Sequence, residues 1–373
     1  MEATLPPEVP VKRVLTADHI LFLMLAFVPL ALVLDFAIHA SGIVVFIASA
    51  VAIIPLAGWM GRATEHLASH VGEGLGGLLN AAFGNAAELI IAIVALRAGL
   101  HDLVKASITG SIIGNILLVF GLAALAGGLR RGTLRFNRTA AAMGTTMLLL
   151  ATISLIIPAI FHRVAGETAP LSEHRMSLLI AVVLLVTYLL SLVFTLKTHS
   201  HLYTGSAEPS NNGADHGAVW SVTRSVWVLL ASAVAIGVMS ELLVSSVEQA
   251  GEAAGMSEVF IGVILVAIIG NAAEHSTAVI VALKNKMDLS INIAVGSSLQ
   301  IALFVAPVLV FLSYFIGPQP MDLLFTTMEV VAIAVSVGIM AVISQDGETH
   351  WMEGVQLLAV YAILAVAFFF VPA

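Results

Sequence analysis

The chain has 373 residues, of which 60% are hydrophobic and 10% charged, and its mean hydropathy is +1.05. Soluble domains carry about 25% charged residues, so a soluble fold is excluded. The formal charge of −8, spread along the chain with no long basic run, argues against nucleic-acid binding, and zero cysteines leave no disulfide and no thiolate metal site.

Residues 1–18 hold Pro6, Pro7, Pro10, Lys12 and Arg13, with no small-residue cleavage site after a short apolar core, and read as a polar N-terminal tail and not a removable signal. Continuous apolar stretches of about 20 residues follow, which indicate transmembrane helices because they do not alternate as strands would. Eleven spans are predicted, at about 19–38, 42–60, 77–97, 101–127, 139–161, 174–196, 223–246, 258–283, 288–316, 322–344 and 352–371. The second is expected to continue as helix past Glu65. The stretch 197–221 is rich in Gly, Ser and Asn and reads as a flexible linker, with His199, His201 and His216 solvated.

Positive charge orients the chain. Lys12, Arg13, Arg62, Arg130, Arg131, Arg135, Arg138, Lys197, Arg224, Lys284 and Lys286 fall on the N-terminal side, eleven against the four of Arg97, Lys105, Arg163 and Arg175. The N-terminus is therefore expected in the cytoplasm and, with an odd span count, the C-terminus outside.

One string occurs twice. Gly84-Asn85-Ala86-Ala87-Glu88 and Gly270-Asn271-Ala272-Ala273-Glu274 are identical and lie 186 residues apart. Gly110-Ser111 returns at the same interval as Gly296-Ser297, and Ala48 to Ile53 returns as Ala231 to Ile236. Spans 2 to 6 thus match spans 7 to 11. Two tandem copies of an odd-span unit enter the membrane from opposite sides, the inverted arrangement of many secondary transporters and of some channels. The expected fold is an all-α polytopic membrane protein of eleven transmembrane helices. It comprises one extra helix (19–38), a first five-helix repeat (39–196), a cytoplasmic linker (197–221) and a second, inverted five-helix repeat (222–373).

An ionisable residue at bilayer depth is a functional hypothesis by default, and Glu88 and Glu274 lie near the middle of spans 3 and 8. Gly84 and Gly270 permit close helix approach or a break, and Asn85 and Asn271 compete with the helix ladder. Backbone carbonyls can then face a polar cavity. Two carboxylates in an oxygen-rich pocket suit a hard dication such as Ca2+. With the dication gone, two bare carboxylates would repel each other and take up protons, so cation and proton compete for the same oxygens. That competition is the requirement for an antiporter. The bland reading, in which each Glu is a satisfied interhelical hydrogen-bonder, accounts less well for the duplication.

Glu241, within span 7, is expected at the site or its entrance. Glu65 reads equally as a site residue or a plain interfacial acid. His275 follows Glu274, but helical neighbours point about 100° apart, so a proton-path role stays open. Ser111, Asn115, Ser297, Ser298 and Gln300 read equally as cavity lining and as helix-packing contacts. Glu329 has no evident partner and is taken as structural.

The segments Gly76 to Ala81 and Gly84 to Ala92 resemble the first signature repeat of the Ca2+/H+ exchanger family of the cation/Ca2+ exchanger superfamily. Gly270 to His275, Lys284-Asn285-Lys286-Met287-Asp288 and Gly296 to Ile301 resemble its second, and Thr64-Glu65, Ser240-Glu241 and Gln345-Asp346-Gly347 also fit. The resemblance implies one plus five plus five helices and a cation site between spans 2, 3, 7 and 8. It implies Glu88 and Glu274 as ion-binding and proton-exchanging residues with Glu241 nearby. Both strings read Gly-Asn-Ala-Ala-Glu, where the sodium-coupled branch more typically has a Gly-Thr/Ser-Ser-x-Pro-Glu type string, which favours protons over Na+. The linker departs from some family members by holding only Glu208 and Asp215 as acids.

The expected function is Ca2+/H+ antiport out of the cytoplasm by alternating access, with Ca2+ and H+ as transported ions and no cofactor. The expected setting is the lipid bilayer of a prokaryotic cytoplasmic membrane. Rival readings are Na+-coupled Ca2+ or Mn2+ exchange and a Ca2+-permeable channel. An intramembrane enzyme is disfavoured by the lack of HExxH, Gly-x-Ser-x-Gly and DDxxD-type strings. The oligomeric state is left open, a homo-oligomer included.

Overall fold

The computed structural model describes residues 17–165, 170–200 and 219–371. Most of the linker, with His201, Glu208, Asp215 and His216, lies outside the described residues, as does most of the N-terminal tail. Nearly all of the described chain is helical, because in hydrocarbon every backbone N–H and C=O must find its partner within the protein. Among the described residues eight helices are long and apolar enough to cross a membrane, or nine if one bent pair is a single span. The chain is a multi-pass membrane protein.

The first apolar stretch forms two short helices, α1 (Ala17–Met24) and α2 (Phe27–Phe36). Next comes α3 (Gly42–Phe83), helical throughout its 42 residues. It is not a straight rod. A Cβ on Gly76 would sit 2.8 Å from the carbonyl oxygen of Ala68, whereas eight residues of straight helix span about 12 Å. The chain therefore doubles back between them, which separates the predicted second and third spans. α4 (Ala86–Arg97) follows a break at Gly84 and Asn85. Then come α5 (His101–Ile113), a π-helical turn (Gly114–Val119) and α6 (Phe120–Arg131). The first half closes with α7 (Arg138–Ala165) and α8 (Pro170–Val193).

In the second half α9 (Val222–Ala254) ends at Gly255, whose φ of +65° is the left-handed conformation glycine accepts most readily. α10 (Glu258–Phe260), a π-helical turn (Ile261–Val266) and α11 (Ala267–Gly270) make up one limb of a bent span. The other limb, α12 (Ala272–Leu283), leaves at 61°. α13 (Met287–Gln300), a π-helical turn (Ile301–Val305) and α14 (Ala306–Ser313) form the next span. The chain finishes with α15 (Thr327–Ile343) and α16 (Trp351–Phe369).

Two expectations need correction. The fold is not wholly helical: β1 (Thr133–Arg135) pairs antiparallel with β2 (Glu348–His350). These three-residue segments connect helices, and strand pairing satisfies their backbone groups. The tenth span begins at Thr327 and not near 322, because Thr326 and Glu329 form a capping box that starts the helix there. Glu329 thus has partners after all. The Gln345-Asp346-Gly347 string serves the turn before β2, where Gly347 takes φ +78° and its carbonyl accepts from Phe136 N at 2.9 Å.

Packing brings the breaks together. α3 lies along α9 over a longer stretch than any other pair of helices shares. α5 crosses the π-helical turn at 261–266 on small residues: a Cβ on Gly110 would fall 2.0 Å from the Val263 carbonyl oxygen, and one on Gly262 would fall 2.5 Å from Ala106 Cβ. Such contacts let helix backbones touch where lipid gives no hydrophobic drive for association.

Candidate functional site

Each repeated string sits at a helix break. Asn85, between α3 and α4, has φ −105° and ψ 29°, and Asn271, between α11 and α12, has φ −91° and ψ 6°. Both values lie near the bridge region, which interrupts the helix. Gly and Asn favour that outcome locally, since Gly costs more to order and Asn competes for backbone partners.

The strings are distant in sequence and adjacent in space. A Cβ on Gly270 would lie 3.0 Å from Glu88 Cγ and 3.5 Å from its Cδ and Oε1, so the first carboxylate packs on the glycine of the second string. Glu88 and Glu274 are close enough for their charges to interact. Glu88 Oε2 and Glu274 Oε2 are both buried without a hydrogen-bond partner. A buried, unpaired carboxylate oxygen is costly. A dication or protons would remove that cost.

The asparagines are held crosswise. Asn85 Oδ1 accepts from Ser297 Oγ at 2.9 Å, and Asn85 Nδ2 donates to Gln300 Oε1. Asn271 Nδ2 donates to Ser111 Oγ at 3.0 Å and to the Ala267 carbonyl at 2.9 Å, and Asn115 Nδ2 donates to Asn271 Oδ1 at 3.4 Å. Asn85 and Asn271 are 186 residues apart, and so are Ser111 and Ser297. Each asparagine is therefore bound by the serine of the opposite half. Ser297 also approaches the Glu274 carboxylate. Ser298 donates to Ala294 O at 2.9 Å and reaches Ile112 O at 3.5 Å, a contact between α13 and α5.

The remaining expected residues are placed differently. Glu241 on α9 forms an ion pair with Arg97 at the end of α4, and both side chains are about half exposed or more. Glu65 is exposed, next to His66, which stacks on Trp220. His275 is half-buried on α12. Among the described residues no three His, Asp or Glu side chains converge as a metal cluster. The site offers two carboxylates together with amide and hydroxyl oxygens, a donor set that fits a hard cation better than a soft one.

Sequence reasoning did not single out Arg97, Lys105, Thr109 or Asp322. Lys105, a lone cation inside an apolar stretch, was the available signal. Its amine contacts Asp322 Oδ1 at 3.3 Å and the Leu324 carbonyl at 3.0 Å.

The sodium/calcium exchanger protein family matches residues 41–197 and again residues 224–370. A Ca2+/H+ antiporter of Aphanothece halophytica is 46% identical over 368 residues, covering 96% of this chain and 98% of the relative. A Ca2+/H+ antiporter of Synechocystis is 47% identical over 372 residues, covering 96% of this chain and 99% of the relative. The crystal structure of the Ca2+/H+ antiporter protein YfkE superposes with a TM-score of 0.81 at 42% identity, covering 94% of this chain and 99% of that one.

Proposed function

Because the chain belongs to the sodium/calcium exchanger protein family, we propose that it exchanges Ca2+ for H+ across a membrane through one site built from its two Gly-Asn-Ala-Ala-Glu strings. The observation that carries this reading is the convergence of Glu88 on Gly270, with one unpaired, buried oxygen on each of Glu88 and Glu274. Two carboxylates balance one dication, and protons on the same oxygens leave the empty site neutral. Either load can then cross, while the bare dianion cannot. Asn85 and Asn271 interrupt the helices beside the carboxylates, and Ser111, Asn115, Ser297 and Gln300 hold those asparagines in place. His275 is available beside Glu274 for proton passage, with Glu65 and Glu241 at the approaches.

Eleven spans in inverted halves remain the reading of the topology. In its support, the family matches the chain twice. Two contacts between connecting segments also agree with the assigned sides of the membrane. β1 pairs with β2 on the assigned cytoplasmic side, and Arg163 donates to Thr327 on the other. Alternating access, with the N-terminus and the Ca2+ source in the cytoplasm of a prokaryotic cell, completes the proposal.

The test uses purified protein in liposomes with a pH dye inside. Adding Ca2+ should move protons in the wild type and in neither Glu88→Gln nor Glu274→Gln. The apparent KM for Ca2+ should rise as the pH falls. Ca2+ flux without proton movement would sink proton coupling, and normal exchange by both variants would sink the paired site.

A further inference from the structure

Helices α5 and α13 occupy matching places in the two halves and carry the serines that hold the asparagines. Their outer supports differ. On α5, Thr109 Oγ1 donates to Glu329 Oε1 at 3.2 Å, and both residues are buried. Glu329 Oε2 accepts from Thr326 N at 2.8 Å and from Thr326 Oγ1 at 2.7 Å, which fixes that carboxylate to the start of α15. One turn earlier on α5, Lys105 is held by Asp322 and the Leu324 carbonyl of the segment leading into α15. Only 13% of the Lys105 side chain is exposed. Two polar clamps one turn apart fix both the height and the rotation of a helix.

At the 186-residue interval Lys105 becomes Ile291 and Thr109 becomes Val295. Val295 meets no carboxylate but the bare backbone of Gly144, where a Cβ would lie 2.6 Å from Val295 Cγ1. Gly110 is wedged against the Val263 carbonyl, while its counterpart Gly296 has nothing within 4 Å of a Cβ. The duplicated helices therefore hold matching polar side chains in unequal mountings.

We infer that Thr109 and Lys105, through Glu329 and Asp322, are positioning residues that clamp α5 and so hold Ser111 and Asn115 on Asn271, whereas α13 has no such pair at Ile291 and Val295 and is tied at its start instead, where Asp288 accepts a hydrogen bond from Asn137 N. Thr109 is two residues from Ser111, so a turn or slide of α5 carries Ser111 with it. The inference rests on the reading of the paired strings as the exchange site. It adds that the half-site on α5 is anchored to α15 close to its serine, while α13 is tied at the far end of the helix from its serine.

The test is Ca2+-driven proton movement in liposomes with Thr109→Val and Thr109→Ser, beside Glu88→Gln as a check on the site itself. Valine keeps the shape of threonine and removes the donor. Thr109→Val should raise the apparent KM for Ca2+ by roughly three- to tenfold with the maximal rate within about twofold, since sub-ångström misplacement weakens a preorganised site. Thr109→Ser should restore the KM. If Thr109→Val does not yield folded protein, Lys105→Met is read in its place and should raise the KM in the same direction. A wild-type KM in the folded variant, or a loss that serine does not rescue, would overturn the clamp. Inactive Glu88→Gln beside an unaffected Thr109→Val would reject the clamp and leave the site reading standing. Active Glu88→Gln would reject the site reading on which the clamp rests.

Discussion

Replacing Gly270 by alanine tests the central contact with a single methyl group. The added Cβ would lie 3.0 Å from Glu88 Cγ, while carbon atoms pack comfortably at about 3.5–4.0 Å. Glu88 must retreat by roughly 0.5–1 Å or turn to another rotamer. A misplacement of about 1 Å at a reacting group can cost on the order of a hundredfold, so half that shift corresponds to about tenfold, or roughly 1.4 kcal/mol. The fold itself should not suffer, because alanine in place of a helical glycine gains up to about 1 kcal/mol. The expected result is an apparent KM for Ca2+ about tenfold higher in the liposome assay, with an unchanged or raised Tm in detergent. Gly338→Ala in α15 is the control, since its Cβ meets nothing within 4 Å. A wild-type KM in Gly270→Ala, or an equal rise in the control, would refute the placement of Glu88 against the second string.

Two further predictions follow from the packing. Gly110→Ala places a Cβ 2.0 Å from a backbone oxygen, so the helices must part, and size-exclusion chromatography should show loss of the monodisperse species; a stable folded Gly110→Ala protein would contradict the crossing. Glu241→Gln removes one partner of a largely exposed ion pair worth about 0–1 kcal/mol. Proton movement driven by Ca2+ should therefore persist with little change in Tm, and its complete loss would place Glu241 among the cation ligands.

Much of this protein was legible before any coordinates. Hydrocarbon demands long apolar helices, and those runs are visible one residue at a time. The identical strings at Gly84 and Gly270 exposed a duplication and named the two carboxylates that the fold brings near each other. Serines 111 and 297 and Gln300 were recognised as cavity or packing groups, but nothing local decided between those roles. Their partners are asparagines more than 150 residues away.

Other features depended on distant segments. The bend at Asn271 was prepared by its own Gly-Asn pair and the reversal inside α3 by Gly72, Gly74, Gly76 and Gly77, but only the structure shows that helical backbone runs through the second of them. Glu329 read as an acid without a partner although its capping partner Thr326 lies three residues away; only Thr109 reaches it from 220 residues away. Glu241 was expected at the site or its entrance, and only the fold shows that Arg97, at the end of another helix, pairs with it. Composition and periodicity are properties of neighbouring residues, and they carried the membrane class, the apolar helices and the repeated acids. Which side chain satisfies which is set by helix crossings, and in a bilayer those crossings are chosen by backbone contact at residues such as Gly110, so only the tertiary structure could tell the two half-sites apart.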